Sequence, residues 1–379
     1  MTRHGHWTSG VGGVGGRAPL RISLAGGGTD LPDYSAEFGG DVVAMAIDAE
    51  IRIHLTEAAE RSETRWSDHT GDLPGDPVLN DLVASLLRAH PHWGRRPWRM
   101  TSTSGARAGA GLGSSGAFLV ALAGLLHPGA GPAELARTAY AWEHRHAGRM
   151  VGPQDSYASA HGGLGAIEIG TGGAVHVSPL TPHPHAASWI DHNLLLFDTG
   201  GSRDASRIVA SAKRDADRTA RSDGRPGRPT RRVEQLHAIR TLVAPFRKAL
   251  EEGDVERFGP LLTENWTLKS ALGRGISTPR AEELLAGCLA AGAQGGKLVG
   301  AGGGGYVLVS VPDRALPAVR AAMARAHAPE LPFRLSPHGV RTDDSVTLPP
   351  APRTAAESPR VASTTTANPA PPPGEKELS

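Results

Sequence analysis

The segment Gly109-Ala-Gly-Leu-Gly-Ser-Ser-Gly116, running directly into the apolar stretch Ala117–Leu126, constrains this chain more than any other feature. Glycines let backbone N–H groups approach an anion closely. A helix that starts at once behind them adds unpaired donors and a partial positive charge. The spacing predicts a helix over Ser114–Leu126 whose N-terminus cradles a phosphate, with Gly109, Gly111, Leu112, Gly113, Ser114, Ser115 and Gly116 around it. The two serine hydroxyls serve either as caps or as magnesium ligands.

Two other phosphate-loop patterns compete for these residues. Gly111-x-Gly113-x-x-Gly116 satisfies the dinucleotide fingerprint, but that reading needs an acid about 20 residues on, at the end of a second strand. The only acid near that distance, Glu134, follows Gly131-Pro132 at a helix start, where it complements the helix dipole. A nucleotide loop of the form GxxxxGK[ST] does not occur, because the Gly-Lys at 296 and 297 is followed by Leu298. Glycine clusters also stand at Ala25-Gly-Gly-Gly-Thr-Asp30, after an expected strand, and at Gly300-Ala-Gly-Gly-Gly-Gly305, before one. Three such loops far apart in sequence suggest backbone crowding around one polyphosphate and its acceptor.

In this order the three motifs resemble those of the GHMP kinases: Arg17-Ala-Pro-Leu-Arg-Ile-Ser-Leu-Ala-Gly-Gly-Gly-Thr-Asp30, then Gly111–Gly116, then Lys297-Leu-Val-Gly-Ala-Gly-Gly-Gly-Gly305. Further stretches, GGGTDLPDY (26–34), GPQDSYASAHGG (152–163), DTGGSRDAS (198–206) and ENWTLKSALGRGISTPR (264–280), are similar to the heptose 7-phosphate kinase branch. The proline usual before the second motif is absent, with Arg107, Ala108 and Gly109 in its place, so a looser approach to the loop is expected.

The resemblance implies an α+β fold of two domains. A ribosomal protein S5 domain 2-like ATP-binding domain would span 17–188 and a ferredoxin-like α/β domain 189–344. Disordered extensions are expected over 1–16 and 345–379, where composition is glycine-rich or Pro/Ala/Thr-rich. It further implies ATP and Mg²⁺ as cofactors, with Ser115 and Glu143 holding the metal. Asp155 becomes the catalytic base, and Arg21 the cation that keeps it ionised and favours the developing alkoxide. Thr29, Gly28 and Asp30 would orient sugar hydroxyls, Gly302, Gly303 and Gly304 would close on the acceptor, and Arg203 and Lys269 would grip a distal phosphate.

Each role has a plainer alternative: Glu143 as a mid-helix acid paired with Arg145 or Arg149, Asp155 as an acid at a helix start, Asp30 as a turn residue capping its own backbone. The implied reaction moves the γ-phosphate of ATP to the anomeric hydroxyl of a heptose 7-phosphate or a relative such as an octose 8-phosphate. Another small alcohol (galactose, fucose, mevalonate) and a catalytically silent sugar- and ATP-binding regulator are the alternatives.

Between the glycine motifs, strands are expected at Arg17–Leu24, Val42–Ile47, Ile51–Thr56, Trp98–Thr103, Leu194–Phe197 and Tyr306–Val311. Helices are expected at Pro132–His146, Pro153–Ala160, Val233–Glu251, Val255–Leu262, Glu264–Leu272, Pro279–Ala290 and Leu316–Ala326. The Arg/Asp/Gly/Pro stretch Ser211–Arg232 reads as a surface loop, with a basic lid as its alternative.

A formal net charge of +2 with no basic stripe argues against nucleic acid, and no apolar run is long enough to span a bilayer. The expected partners are therefore a sugar phosphate and ATP, with no nucleic acid and no membrane. The expected location is the cytoplasm, and a homodimer is left open. Arginine greatly exceeds lysine, which suggests a GC-rich bacterial source and, through it, an antibiotic-sugar pathway. The lone cysteine, Cys288, reads as a small core residue.

Overall fold

The computed structural model describes residues 13–200 and 231–343. Among these, strands form two sheets. The larger has the order β11-β1-β2-β5-β3-β4, with β6 also pairing β2 and β7 pairing β6. Its strands are β1 Val14–Ala25, β2 Gly40–Glu57, β3 Glu63–Asp68, β4 Gly71–Leu73, β5 Trp98–Ser104, β6 Leu164–Ile169, β7 Val175–Leu180 and β11 Arg341–Asp343. The smaller sheet is antiparallel, in the order β8-β10-β9, from Leu194–Asp198, Tyr306–Ser310 and Gly295–Leu298. With helices on both, the architecture is α+β as expected.

The two strands expected at 42–47 and 51–56 are halves of one long strand. β2 pairs with β1 along one edge. On the other edge its first half meets β6 and its second half meets β5. The register shift at Pro19/Leu20, opposite Glu50 and Ile47, absorbs the polar Asp48-Ala49-Glu50 interruption between the two expected strands, and a second shift lies at Ser23/Ala25. Val14–Gly16, expected to lie in a disordered extension, pair instead with Ile53–Leu55, and Gly15 and Gly16 also with Asp343 and Thr342, as the start of β1. The chain returns to this sheet at its far end, since β11 pairs with β1.

Helix α3 (Ser114–Leu126) forms as the apolar run predicts, with every residue from Gly116 to Leu126 buried against β1, β2, α4 (Pro132–Ala141) and α5 (Gln154–His161). Helices α1 (Pro32–Phe38), α2 (Pro77–Ala89) and α6 (Pro184–Asn193) were not expected, although each carries proline at its first turn.

The helix expected over 233–251 is two, α7 (Arg231–Thr241) and α8 (Val243–Glu252). Pro245 has no N–H to donate back to Thr241, so the ladder must restart. By contrast, the helices expected at 255–262 and 264–272 merge into a short 3₁₀ turn and one helix, α9 (Phe258–Ser270), because Pro260 falls in the first turn, where it is tolerated. Helices α10 (Pro279–Ala290) and α11 (Leu316–Arg325) match expectation. Cys288 is fully buried in α10, and burial pushes its thiol up to about 12, in keeping with an inert core residue. Among the described residues no helix is long and apolar enough to cross a membrane.

Candidate active site

A cleft of about 510 Å³ runs between the glycine loops. Its centre is the N-terminus of α3. Gly113, at φ 74°, is the N-cap and gives it no side-chain cap, so the first N–H groups of a buried helix face the cleft unpaired. Ser114 helps to close the loop by accepting from Gly109 N at 3.5 Å. Buried donors without protein partners, at the positive end of a helix, suit an anion.

Asp155, at the start of α5, is wedged against this loop. A Cβ added to Gly116 would lie 2.7 Å from the Asp155 Cβ, and one on Gly113 would lie 3.3 Å from its carboxyl carbon. Arg21 reaches Asp155 Oδ1 from β1, at 2.7 Å through Nε and 2.5 Å through Nη2. Its third arm donates to Gly111 O at 2.6 Å, and its backbone N–H donates to Leu112 O. One guanidinium thus fixes both the acid and the phosphate loop.

Glu143 lies in a π turn, Trp142–His146, that follows α4, where Ala147 N bonds Trp142 O across five residues. The wider turn re-aims Glu143 inward, a displacement that simple helical spacing does not reveal. Its carboxyl, 1% exposed, accepts from Ser115 Oγ at 2.5 Å. Burial, with the charge of Asp155 adding to it, pushes this carboxyl up to about 7 against the opposing pull of Ser115, Arg149 and Arg21. Ser115 and Glu143 offer oxygen donors only, which suits a hard cation such as Mg²⁺. Among the described residues no group of three or more His, Cys, Asp or Glu side chains could hold a metal alone, so such an ion would take its remaining ligands from phosphate and water.

Asp30 is fully enclosed. It accepts from Gly28 N at 3.1 Å and from Gln154 Nε2 at 3.0 Å, and its pKa is raised by burial and then by Asp155. Gly28, Asp30 and Lys269 line the cleft, together with Leu31, Leu236 and Ile276. Thr29 does not line it. Its hydroxyl donates to Gly26 O and Asp41 O and so holds the turn together.

Of the third loop, Gly300 and Ala301 line the cleft, whereas Gly302 and Gly303 back onto Ile276, which accepts from Gly303 N at 2.8 Å. Gly304 is buried beside them and likewise does not line the cleft. Arg203, and most of the stretch read as a loop or lid, lie outside the described residues. Arg231 and Arg232, the end of that stretch, begin α7.

The sequence alone names no residues for an adenine pocket. The structure supplies an apolar wall of Ile51, Trp66, Leu73, Leu79 and Phe118, with the Trp66 and Phe118 rings 4.7 Å apart. α2 was legible in principle, from its Asp76-Pro77 start and its Leu79, Leu82, Val83, Leu87 spacing. Arg232, which lines the cleft and pairs with Asp33 at 3.4 Å, was also missed, having been read as the end of a loop or lid.

Where the proline before the phosphate loop is absent, Arg107 forks onto Asp198 at the end of β8, at 2.8 and 2.5 Å. The second and third loops also touch, since a Cβ on Gly300 (φ 77°) would come 2.3 Å from Gly111 Cα. Gly300→Ala is therefore expected to destabilise the protein by roughly 1–3 kcal/mol and to weaken nucleotide binding. Thermal melts and calorimetry check this, and an unchanged melt would contradict the contact.

A cleft bounded by three glycine loops, with an acid–arginine pair at an uncapped helix start, defines a phosphoryl-transfer fold. Residues 80–163 match the family "GHMP kinases N terminal domain" and residues 246–329 match "GHMP kinases C terminal". The chain carries the N- and C-terminal domains of GHMP kinases, and these support an ATP-dependent phosphotransferase.

Among its relatives, the D-glycero-alpha-D-manno-heptose 7-phosphate kinase of Campylobacter jejuni is 27% identical over 310 residues, covering 78% of this chain and 88% of that protein. A mevalonate kinase of Methanothermobacter thermautotrophicus is 28% identical over 302 residues, covering 78% of this chain and 89% of the other. The crystal structure of a D-glycero-D-manno-heptose 1-phosphate kinase from Bacteroides thetaiotaomicron superposes with a TM-score of 0.64 at 24% identity, covering 87% of this chain and 98% of that one.

Proposed function

We propose that the chain transfers the γ-phosphoryl group of ATP to the anomeric hydroxyl of a heptose 7-phosphate or a related long-chain sugar phosphate, such as an octose 8-phosphate, giving a 1,7- or 1,8-bisphosphate. The observation that carries this reading is the placement of Asp155: held by Arg21, it touches the entrance of α3 and lines the same cleft as Ser115 and Glu143.

Phosphoryl transfer needs the nucleotide cradled, charge neutralised and the acceptor proton removed. The α3 loop, Gly109–Gly116, would hold the triphosphate, and the base would rest on the wall of Trp66, Leu79 and Phe118. Ser115 and Glu143 would hold Mg²⁺, which supplies charge neutralisation at the phosphates. Asp155 would take the acceptor proton, and Arg21 would offset the charge that develops there. Asp30 would accept from sugar hydroxyls.

Arg232 would put positive charge beside the acceptor, which supports an acceptor that is itself anionic, and the heptose kinase relative supports a seven-carbon sugar phosphate. The two domains would divide near residue 188, with the reaction taking place in the cytoplasm where ATP is made.

Purified protein assayed for ADP release against heptose 7-phosphate, octose 8-phosphate, galactose, fucose and mevalonate tests the substrate. The expected result is turnover of a sugar phosphate in preference to the neutral sugars. Turnover confined to mevalonate sinks the sugar assignment, and ATP binding without turnover of any acceptor favours a regulator.

A further inference from the structure

We infer that Lys269 holds the phosphoryl group in transit, not the acceptor's distal phosphate. This rests on the kinase reading above and specifies where in that site the lysine acts. Lys269 closes the last turn of α9, and its ammonium sits at the meeting point of the glycine loops. It donates to Gly300 O at 2.5 Å, and a Cβ built on Gly27 would lie 3.7 Å from Nζ. Gly300 in turn lies against Gly111 of the phosphate loop. First, second and third loops therefore converge around one amine that lines the cleft beside Arg21 and Asp30.

The chemistry of that position is unusual. An ammonium has three donors, and one is spent on a carbonyl. Among the described residues no carboxylate comes within 4 Å of it, while the side chain is 8% exposed. Keeping an unpaired buried cation is costly unless an anion arrives to pair with it.

The groups whose charge reaches it are Asp30 and Asp155, which favour the ammonium, and Arg21 and Lys297, which oppose it. Burial first and Arg21 next bring Lys269 down to about 8, so an arriving anion would push it back up. These neighbours are the acceptor-orienting acid, the base and the base's partner, between which a transferring phosphoryl group must pass. A second cation of the cleft, Arg232, comes from α7 and pairs with Asp33 of α1, not with a loop carbonyl. It is free of this junction and available to a more distant anion.

The binding arm of the test needs no acceptor. Mg-ADP and Mg-AMP-PNP, which differ by the γ-phosphoryl mimic, are titrated calorimetrically into wild type, Lys269→Met and Lys269→Arg. Lys269→Met is expected to weaken AMP-PNP about 10-fold or more while leaving ADP within about 2-fold, because one charge-assisted contact is lost only where the third phosphate sits. In turnover, kcat should fall about 100-fold with acceptor KM within about 3-fold, the pattern of an interaction made in the transition state.

Equal weakening of both nucleotides, or a rise confined to acceptor KM, overturns the inference. Should the Met variant fail to fold, the Arg variant decides. Its larger head should reduce the preference for AMP-PNP over ADP several-fold, and an unchanged preference overturns the inference. A wild type that binds neither nucleotide sinks the kinase reading and this inference together. A wild type that binds both, with Lys269 variants of the same preference, sinks only the inference.

Discussion

Asp155→Asn lowers kcat by about 1,000-fold or more, the scale of a lost general base, while Mg-ATP binds within a few-fold of wild type. The asparagine keeps the shape, and its carbonyl can still accept from Arg21, which now reaches Oδ1 with two of its nitrogens. It cannot take up the acceptor's proton. Asp155 packs closely on Gly116 and asparagine fills the same volume, so the expected loss is chemical and not a rearrangement of the phosphate loop. Leaving the buried guanidinium without its charged partner should cost roughly 1–3 kcal/mol of stability, visible as a lowered melting temperature in a protein that still folds. ADP release measured alongside ATP titration separates the effects. A variant within ten-fold of wild-type turnover would remove Asp155 from the mechanism and, with it, the observation on which the kinase assignment to this cleft rests.

The second large effect concerns Glu143 and runs through pH. In the folded, metal-free protein its carboxyl is pushed from 4.5 to about 7, first by burial. Below pH 4.5 the group is neutral whether the chain is folded or not, and its contribution to stability is complete. As pH rises the unfolded chain releases the proton first, and the folded state is penalised until its own carboxyl ionises near 7. With about 1.4 kcal/mol for each pH unit of separation, the loss approaches about 3 kcal/mol by pH 8. A cation held by Ser115 and Glu143 favours the ionised form and reverses the loss. Thermal melts in chelator should therefore fall between pH 5 and 8, Mg²⁺ should raise them more at pH 8 than at pH 5.5, and Glu143→Gln should abolish both trends. A Gln variant with the wild-type dependence on pH and Mg²⁺ would show that the acid is structural only.

What could be seen in the sequence was whatever is local. The loop from Gly109 to Gly116 is a backbone device, and α3 is an unbroken apolar run, so both are written in consecutive residues. Glu143 could be picked out by resemblance, but its inward aim depends on a π turn, which no periodicity announces. The wall of Trp66, Leu73, Leu79 and Phe118 was hidden for a different reason. β3 is a half-exposed ribbon, Glu-Thr-Arg-Trp-Ser-Asp, with no alternation of apolar residues, and its parallel pairing with β5 spans more than thirty residues of chain. Lys269 reads as a substrate cation from resemblance, with nothing local to show where its amine ends. Only the crossing of three distant loops shows that it is enclosed. Such juxtapositions come from tertiary contact, where propensity carries little information.

The fork between Arg107 and Asp198 replaces a local constraint with a remote one. A proline before the phosphate loop would stiffen it by fixing its own dihedral, and the loop would carry that rigidity wherever the chain was cut. Here the stiffness is borrowed from the last residue of β8, in the other sheet. A fragment ending before β8 would therefore keep every glycine and serine of the cradle yet lose the tether that sets its approach, so the nucleotide half of this protein is not a self-sufficient module.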